Sequence, residues 1–292
     1  MKIGIIGLGL LGHSISLRLV HCGYKIGVYN RTYSKSESLI KHGAIVYENP
    51  KQLANMSDII ILCVTNFEAI NNILFNENGL VNTNNKTLIV SDFSTITPKQ
   101  GEFLYQRLKE YEISFLNTPV MGGPTAALNG NLIPIASGDN SSFERIKPIL
   151  ENLGHQIYYI GDKPGAANAI KLSLNLNIAI IAAALSEGLV LASKFDIDPA
   201  LYLKILNSTY FKTNTSEKKG DKMINDAYPP SFYLRNMTKD LSLVVESARD
   251  KGISLPLTNS VLELFDYGQK IGFGNLDYTA IYKVMKKLNG IN

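Results

Sequence analysis

The sequence predicts an α/β N-terminal domain followed by an all-α C-terminal domain. Three observations carry this: short β-branched runs alternate with helical segments up to residue 162, a glycine triplet follows the first of those runs, and strand patterning stops after Gly161. The domains are therefore drawn at 1–162 and 163–292. With 292 residues and 45% hydrophobic side chains, the chain can bury a sizeable core, which excludes a disordered class.

In order, the expected strands are Ile3–Ile6, Lys25–Tyr29, Ile45–Val46, Ile59–Val64, Thr87–Ser91, Ser114–Asn117, Leu132–Ser137 and Gln156–Tyr159. Between them, helix starts are marked by chemistry. Ser34 and Glu37 have capping-box spacing, while Asn49-Pro50 and Thr97-Pro98 each pair an N-cap residue with proline at the first helical position. This alternation predicts a parallel sheet covered by helices. Beyond the boundary, residues 166–194 form one long, alanine-rich apolar segment interrupted by Asn175, Asn177, Ser186 and Glu187. Those interruptions favour a buried helix over a membrane span. Its apolar content exceeds what one amphipathic face needs, so it is also expected to contribute to a dimer interface. Asp198-Pro199 caps the next helix at 200–208, and further helices are expected at 216–225, 237–251, 257–271 and 277–288.

Composition narrows the function classes. The formal charge is +4, and the surplus lies after residue 162, where sixteen basic residues face twelve acidic ones. That suits an anionic small molecule; a nucleic-acid surface would need a dense basic stripe. Lys218, Lys219 and Lys222 read as solvated surface. The two cysteines, Cys22 and Cys63, build no disulfide framework and fit a reducing cytoplasm. His13, His21, His42 and His155 are scattered without ligand spacing, so no metal site is expected. The chain runs from Lys2 directly into the first strand, and no export signal is expected.

Gly7, Gly9 and Gly12, with Leu8, Leu10 and Leu11 between them, spell GxGxxG after the first strand and at the start of a helix. In that context the backbone can approach a pyrophosphate, whose charge is met by exposed amides and the positive helix end, so a Rossmann-type dinucleotide site is predicted. A tight turn alone is the alternative. The second strand ends in Tyr29-Asn30-Arg31-Thr32, where an NAD-selective site usually places a carboxylate. None is present. Arg31 can pair with a 2′-phosphate, with Asn30 and Thr32 as shorter hydrogen-bonding partners, so NADP(H) is favoured over NAD(H).

Further motifs follow in order: Asp92-Phe93-Ser94-Thr95, Thr118-Pro119-Val120-Met121-Gly122-Gly123 with Gly130, then Gly165, Lys171 and Asn175, Lys239-Asp240-Leu241, and Asp277 after Gly272–Gly274. With the glycine turn, they make nearly the whole chain resemble the β-hydroxyacid dehydrogenase family, which includes 3-hydroxyisobutyrate dehydrogenases, tartronate semialdehyde reductases and glyoxylate or succinic semialdehyde reductases. The resemblance implies dimers or tetramers and a small anionic carbonyl or hydroxy-acid substrate.

Hydride transfer to a carbonyl leaves an alkoxide, so a proton donor must stand beside the reacting oxygen. Lys171 is the candidate, because its surroundings are apolar and the resemblance places the catalytic lysine here; a charged residue on a helix surface is the alternative. Desolvation lowers a lysine from its usual ~10.4 towards proton exchange near neutrality. Asn175 lies one helical turn on, and the resemblance gives it a role in orienting the lysine or substrate. An asparagine satisfying a buried backbone group would look the same. Ser94 and Thr95 follow a strand on the ligand side of the sheet, although helix initiation would also explain them. The resemblance makes Thr95 and Lys239 cofactor contacts and Ser94 a possible substrate contact, while Asp240 could pair with a neighbouring cation. Gly122 and Gly123 can offer amides to a substrate carboxylate, or form a bare turn. Met121 stands where the family has serine, which removes a hydroxyl donor and disfavours a highly hydroxylated substrate.

The expected activity is reversible reduction of a small aldehyde or ketone acid to a hydroxy acid. An imine reductase would have a similar two-part architecture, but the retained Lys171 argues against it. The related 6-phosphogluconate dehydrogenases have a larger helical domain. A dinucleotide-binding sensor without turnover would have no use for Lys171, Asn175 and the substrate-loop glycines together.

Overall fold

The structure, a computed structural model, describes residues 1–291 of the chain. It divides into two compact units, Met1–Lys171 and Leu172–Asn292.

The first unit runs β1 (Ile3–Ile6), α1 (Leu10–His21), β2 (Ile26–Tyr29), α2 (Glu37–Ile40), β3 (Ile45–Val46), α3 (Pro50–Asn55), β4 (Ile59–Leu62) and α4 (Phe67–Phe75). It continues through β5 (Ile89–Asp92), α5 (Pro98–Lys109), β6 (Ser114–Asn117), β7 (Val120–Met121), α6 (Pro124–Leu128), β8 (Ile133–Gly138), α7 (Asn140–Leu153) and β9 (Tyr158–Tyr159). The strand order β3-β2-β1-β4-β5-β6-β8-β7, with β9 beside β8, contains the 3-2-1-4-5-6 arrangement of a Rossmann sheet. Successive side chains of a strand point to opposite faces, and both faces here are covered. Ile59 and Ile61 enter one core with Ile15, Leu19, Phe143 and Ile146; Ile60 and Leu62 enter the other with Leu53, Ile70, Leu74 and Leu104. That double burial explains why the strands read as unbroken apolar runs.

The sheet and one helix cap depart from the sequence expectations. The sheet is not parallel throughout: it is parallel from β3 to β6, but β8 pairs antiparallel with both β6 and β7, and parallel with β9. The stretch between β6 and β8 holds only β7 and the five-residue α6, so the chain turns back instead of crossing over a face. Ser34 and Glu37 form no capping box. Tyr33–Ser36 is a 3-10 turn led by Thr32, and the four-residue α2 follows without a side-chain cap. By contrast, Asn49 accepts from the Gln52 amide, and Thr97 and Gln100 cap each other reciprocally.

Helix α8 (Ala166–Lys194) starts in the first unit, because the Gly165 amide donates to Asn117 Oδ1 at 2.9 Å and the Ala167 amide to Ser137 Oγ at 3.1 Å. The first unit therefore ends within α8, at Lys171. α9 (Pro199–Ser208), α10 (Asn214–Ile224), α11 (Leu234–Asp250), α12 (Pro256–Lys270) and α13 (Ile281–Leu288) complete the second unit. By length and composition α8 could cross a membrane. In this structure Ala179, Ala182, Leu185 and Leu189 are instead buried in one core with Leu203, Met237, Phe265 and Ile281.

Lys219 is not the solvated residue its neighbours suggested. It projects from the same side of α10 as the buried Ser216, Gly220 and Met223, and its ammonium meets Asp277 Oδ1 at 2.8 Å and the Tyr278 ring at 4.1 Å. Asp277 also accepts from Ser231 and Thr279. Burial pushes this carboxyl up, but Lys219 and those donors outweigh burial and hold it below the usual carboxylate range.

Candidate active site

In open α/β sheets a ligand crevice forms where the strand order reverses, here between the ends of β1 and β4. Gly7 leaves β1 with φ +96°, and a Cβ there would lie 2.3 Å from the Cys63 carbonyl oxygen. Gly12 packs equally close, since a Cβ would stand 2.0 Å from the Gly7 oxygen. Gly9 is different: it is exposed, and nothing lies within 4 Å of the place its Cβ would take. Two glycines thus close the turn and one keeps its outer side clear. Leu8 is buried, Leu11 half-buried and Leu10 exposed at the start of α1. Beneath the turn, burial pushes the Cys63 thiol up to about 12, Asp92 adds to this, and the Gly12 amide offsets part of it.

At the end of β2, Asn30 holds the turn. Its Oδ1 accepts from the Leu8 amide at 2.9 Å and its Nδ2 donates to the Thr32 carbonyl at 2.8 Å. The side chain expected at the 2′-phosphate therefore braces the loop, leaving Arg31 and Thr32 exposed beside it. After β5, Ser94 is buried and its hydroxyl accepts from the Val64 amide at 3.0 Å, while its own amide donates to Asp92. Thr95 next to it is half-buried. Ser94 consequently ties β5 to β4 at this edge, and Thr95 is the more accessible of the two.

The loop expected to bind substrate and the candidate acid come together in the first unit. Lys171 and Met121 are both half-buried, and Lys171 Nζ lies 3.3 Å from Met121 Sδ, within reach of a weak hydrogen bond to sulfur. Gly122 follows with φ +116°, which favours glycine, and Gly123 leads into α6 behind Pro124. Fifty residues separate the methionine from the lysine, so no local pattern in the sequence connects them.

In the second unit, Asn175 of α8 is buried and donates from Nδ2 to Asp240 Oδ2 at 2.6 Å. The other oxygen of Asp240 pairs with Lys239 Nζ at 2.7 Å. Asp240, expected to pair with a neighbouring cation, pairs with Lys239 and links it to Asn175. No group of three or more potential metal-binding side chains occurs among the described residues.

Residues 2–161 match the protein family described as the NAD binding domain of 6-phosphogluconate dehydrogenase. Residues 165–285 match the one described as NAD-binding of NADP-dependent 3-hydroxyisobutyrate dehydrogenase. Glyoxylate/succinic semialdehyde reductase 1 of Arabidopsis thaliana is 30% identical over 98% of this chain and 99% of its own. The 2-hydroxy-3-oxopropionate reductase of Escherichia coli (strain K12) is also 30% identical, over 98% and 97%. In fold, a crystal structure of 3-hydroxyisobutyrate dehydrogenase from Salmonella typhimurium superposes with a TM-score of 0.89 at 24% identity, covering 97% of this chain and 99% of that one.

Proposed function

The chain belongs to the β-hydroxyacid dehydrogenase family, and we propose that within it this protein reversibly reduces a small aldehyde or ketone acid to a hydroxy acid, with NADP(H) as cofactor and Lys171 as acid and base. Membership makes it an NAD(P)-dependent dehydrogenase acting on CH–OH groups. The observation that carries the finer reading is the placement of the Lys171 ammonium on the Met121 loop, in the unit that also bears the glycine turn.

The residues present fit the cofactor. The clear space outside Gly9 allows a diphosphate to approach the amides at the start of α1, and Arg31 offers a bidentate cation where β2 ends without a carboxylate. When bound, the reduced nicotinamide supplies the hydride. Lys171 donates a proton to the oxygen that becomes the hydroxyl, and takes it back in the oxidising direction. Thr95 and Lys239 are assigned to the cofactor, and the Gly122 and Gly123 amides to the substrate carboxylate. Met121 gives the pocket an apolar, polarisable wall, which suits an alkyl substituent better than a second hydroxyl. Ser94, whose hydroxyl accepts from the Val64 amide, is assigned to the substrate. Leu191, Phe195, Leu201 and Ile205 are exposed apolar residues on α8, α9 and the link between them, which supports association of this unit into a homodimer or homotetramer, measurable by sedimentation.

The test is NADPH oxidation against small semialdehydes, 2-oxo acids and cyclic imines, with wild-type protein and Lys171→Met. Wild-type turnover of a carbonyl acid and a loss of about 10²- to 10⁴-fold in the variant, with NADPH binding retained, are expected. Turnover of cyclic imines alone, or an active Lys171→Met, would overturn the assignment.

A further inference from the structure

We propose that Asp240 is a positioning residue that fixes the polarity of Asn175, forcing its amide to present an oxygen acceptor to the bound substrate; this rests on the function proposed above. Asp240 is only 1% exposed. A carboxylate buried to that degree is sustained by charge pairing and hydrogen bonding together. Both are present: Lys239 Nζ stands 2.7 Å from Oδ1, and Asn175 Nδ2 stands 2.6 Å from Oδ2.

The consequence for Asn175 follows from the donor and acceptor inventory. A carboxylate only accepts, so the amide must turn its NH₂ towards Asp240, and Oδ1 then points away from it. A neutral partner would leave both amide orientations open. At a centre that interconverts C–OH and C=O this choice matters, because an acceptor can receive the hydroxyl proton of the alcohol or hold a protonated amine, whereas an NH₂ could do neither. With an ionised acceptor, this hydrogen bond is of the charge-assisted kind, about twice the strength of a neutral one. Lys239 has a second part in this arrangement. Its ammonium balances the buried carboxylate, so the residue assigned to the cofactor also maintains the group that orients Asn175.

Asp240→Asn and the swap Asn175→Asp/Asp240→Asn separate positioning from simple packing. Asp240→Asn is expected to lower kcat roughly 10- to 100-fold, the size of one charge-assisted hydrogen bond, with the NADPH Kd changed less than threefold. In the swap, the carboxylate at 175 accepts from the amide at 240 and still presents a second oxygen, so at least a tenfold recovery of kcat over the single variant is expected. Wild-type kcat in Asp240→Asn, or a swap no more active than the single variant, would overturn the proposal; failure of both proteins to fold would make the pair a stability element and overturn it equally. A readout independent of turnover is the Asn175 side-chain amide resonance, identified by its loss in Asn175→Asp. It is expected to lie downfield and exchange slowly in wild type with NADPH bound, and to lose both properties in Asp240→Asn. If the resonance behaves in this way while no carbonyl acid is turned over, the function reading fails and the clamp stands; an ordinary, rapidly exchanging resonance removes the clamp whatever the activity.

Discussion

The three glycines after β1 should respond differently to one added methyl group. Gly9 has φ −73° and ψ −171°, which alanine adopts without strain, and no atom lies within 4 Å of the added carbon. Gly9→Ala gains about 0.4–1 kcal/mol from a less flexible unfolded chain and loses up to ~1 kcal/mol as a poorer N-cap, so its stability should be nearly unchanged. Its methyl would, however, occupy the space through which a diphosphate reaches the helix amides. Losing one or two charge-assisted hydrogen bonds of about 1.5–3 kcal/mol each raises the NADPH Kd at least roughly tenfold and up to about 10⁴-fold. Gly12→Ala should fail in the opposite way, because its methyl would sit 2.0 Å from the Gly7 oxygen and force the backbone apart. Overpacking of this kind costs about 1–3 kcal/mol, or roughly 2–5 °C in a chain of this size. Thermal unfolding followed by circular dichroism and NADPH titration calorimetry on both variants separate the two effects. Wild-type NADPH affinity in Gly9→Ala would show that the diphosphate rests elsewhere, and wild-type stability in Gly12→Ala would show that the turn is not closed as described.

Arg31→Asp is expected to lower kcat/KM for NADPH at least tenfold relative to NADH, since it exchanges a phosphate partner for a carboxylate that repels phosphate and can bind ribose hydroxyls; an unchanged ratio removes Arg31 as the selector. Cys63, whose thiol is raised from 9.0 to about 12, should react with a disulfide reagent at pH 8 roughly 10³-fold more slowly than an ordinary thiol, as mass spectrometry of the labelled protein would report. Asp277 has a depressed folded pKa, so its stabilising contribution is present above the unfolded value near ~4 and disappears as pH falls through the folded value. Asp277→Asn should therefore cost about 3 kcal/mol in urea unfolding at pH 7 and progressively less below about pH 4; a pH-independent difference would contradict the ionic origin.

Much of the fold was legible because its signals are local. Period-two burial on both faces produced continuous runs such as Ile59–Leu62, and the caps at Asn49 and Thr97 need only a residue and its neighbours three positions on. The same locality explains the failures. Ser34 and Glu37 have the right spacing, but the four-residue α2 that follows is too short for the box to form around it. β7 is two residues long and is defined by its pairing with Ile133 and Pro134, which no local pattern announces. Lys219 sits among exposed lysines in sequence, and its inward orientation depends on Asp277, 58 residues away.

At the candidate site, motifs and the family resemblance nominated the residues, and tertiary pairing bears on what each can do. Asn30 and Arg31 are adjacent in a motif, yet one braces Leu8 while the other is exposed. Met121 illustrates the point most directly. From the sequence it reads as the loss of a hydroxyl from the substrate loop; in the structure it is a neighbour of Lys171 at 3.3 Å. A serine there would both accept from the lysine and donate to a substrate, whereas a thioether is a weak acceptor with no proton to give. Under the proposed role of Lys171, a substrate carbonyl oxygen entering beside Met121 would be the stronger acceptor for the lysine proton, so the methionine would be compatible with proton transfer while removing one contact to a hydroxylated substrate. Met121→Ser should accordingly change the ratio of kcat/KM between alkyl- and hydroxyl-substituted carbonyl acids more than it changes the rate with either one, and an unaltered ratio would mean that the thioether does not face the substrate.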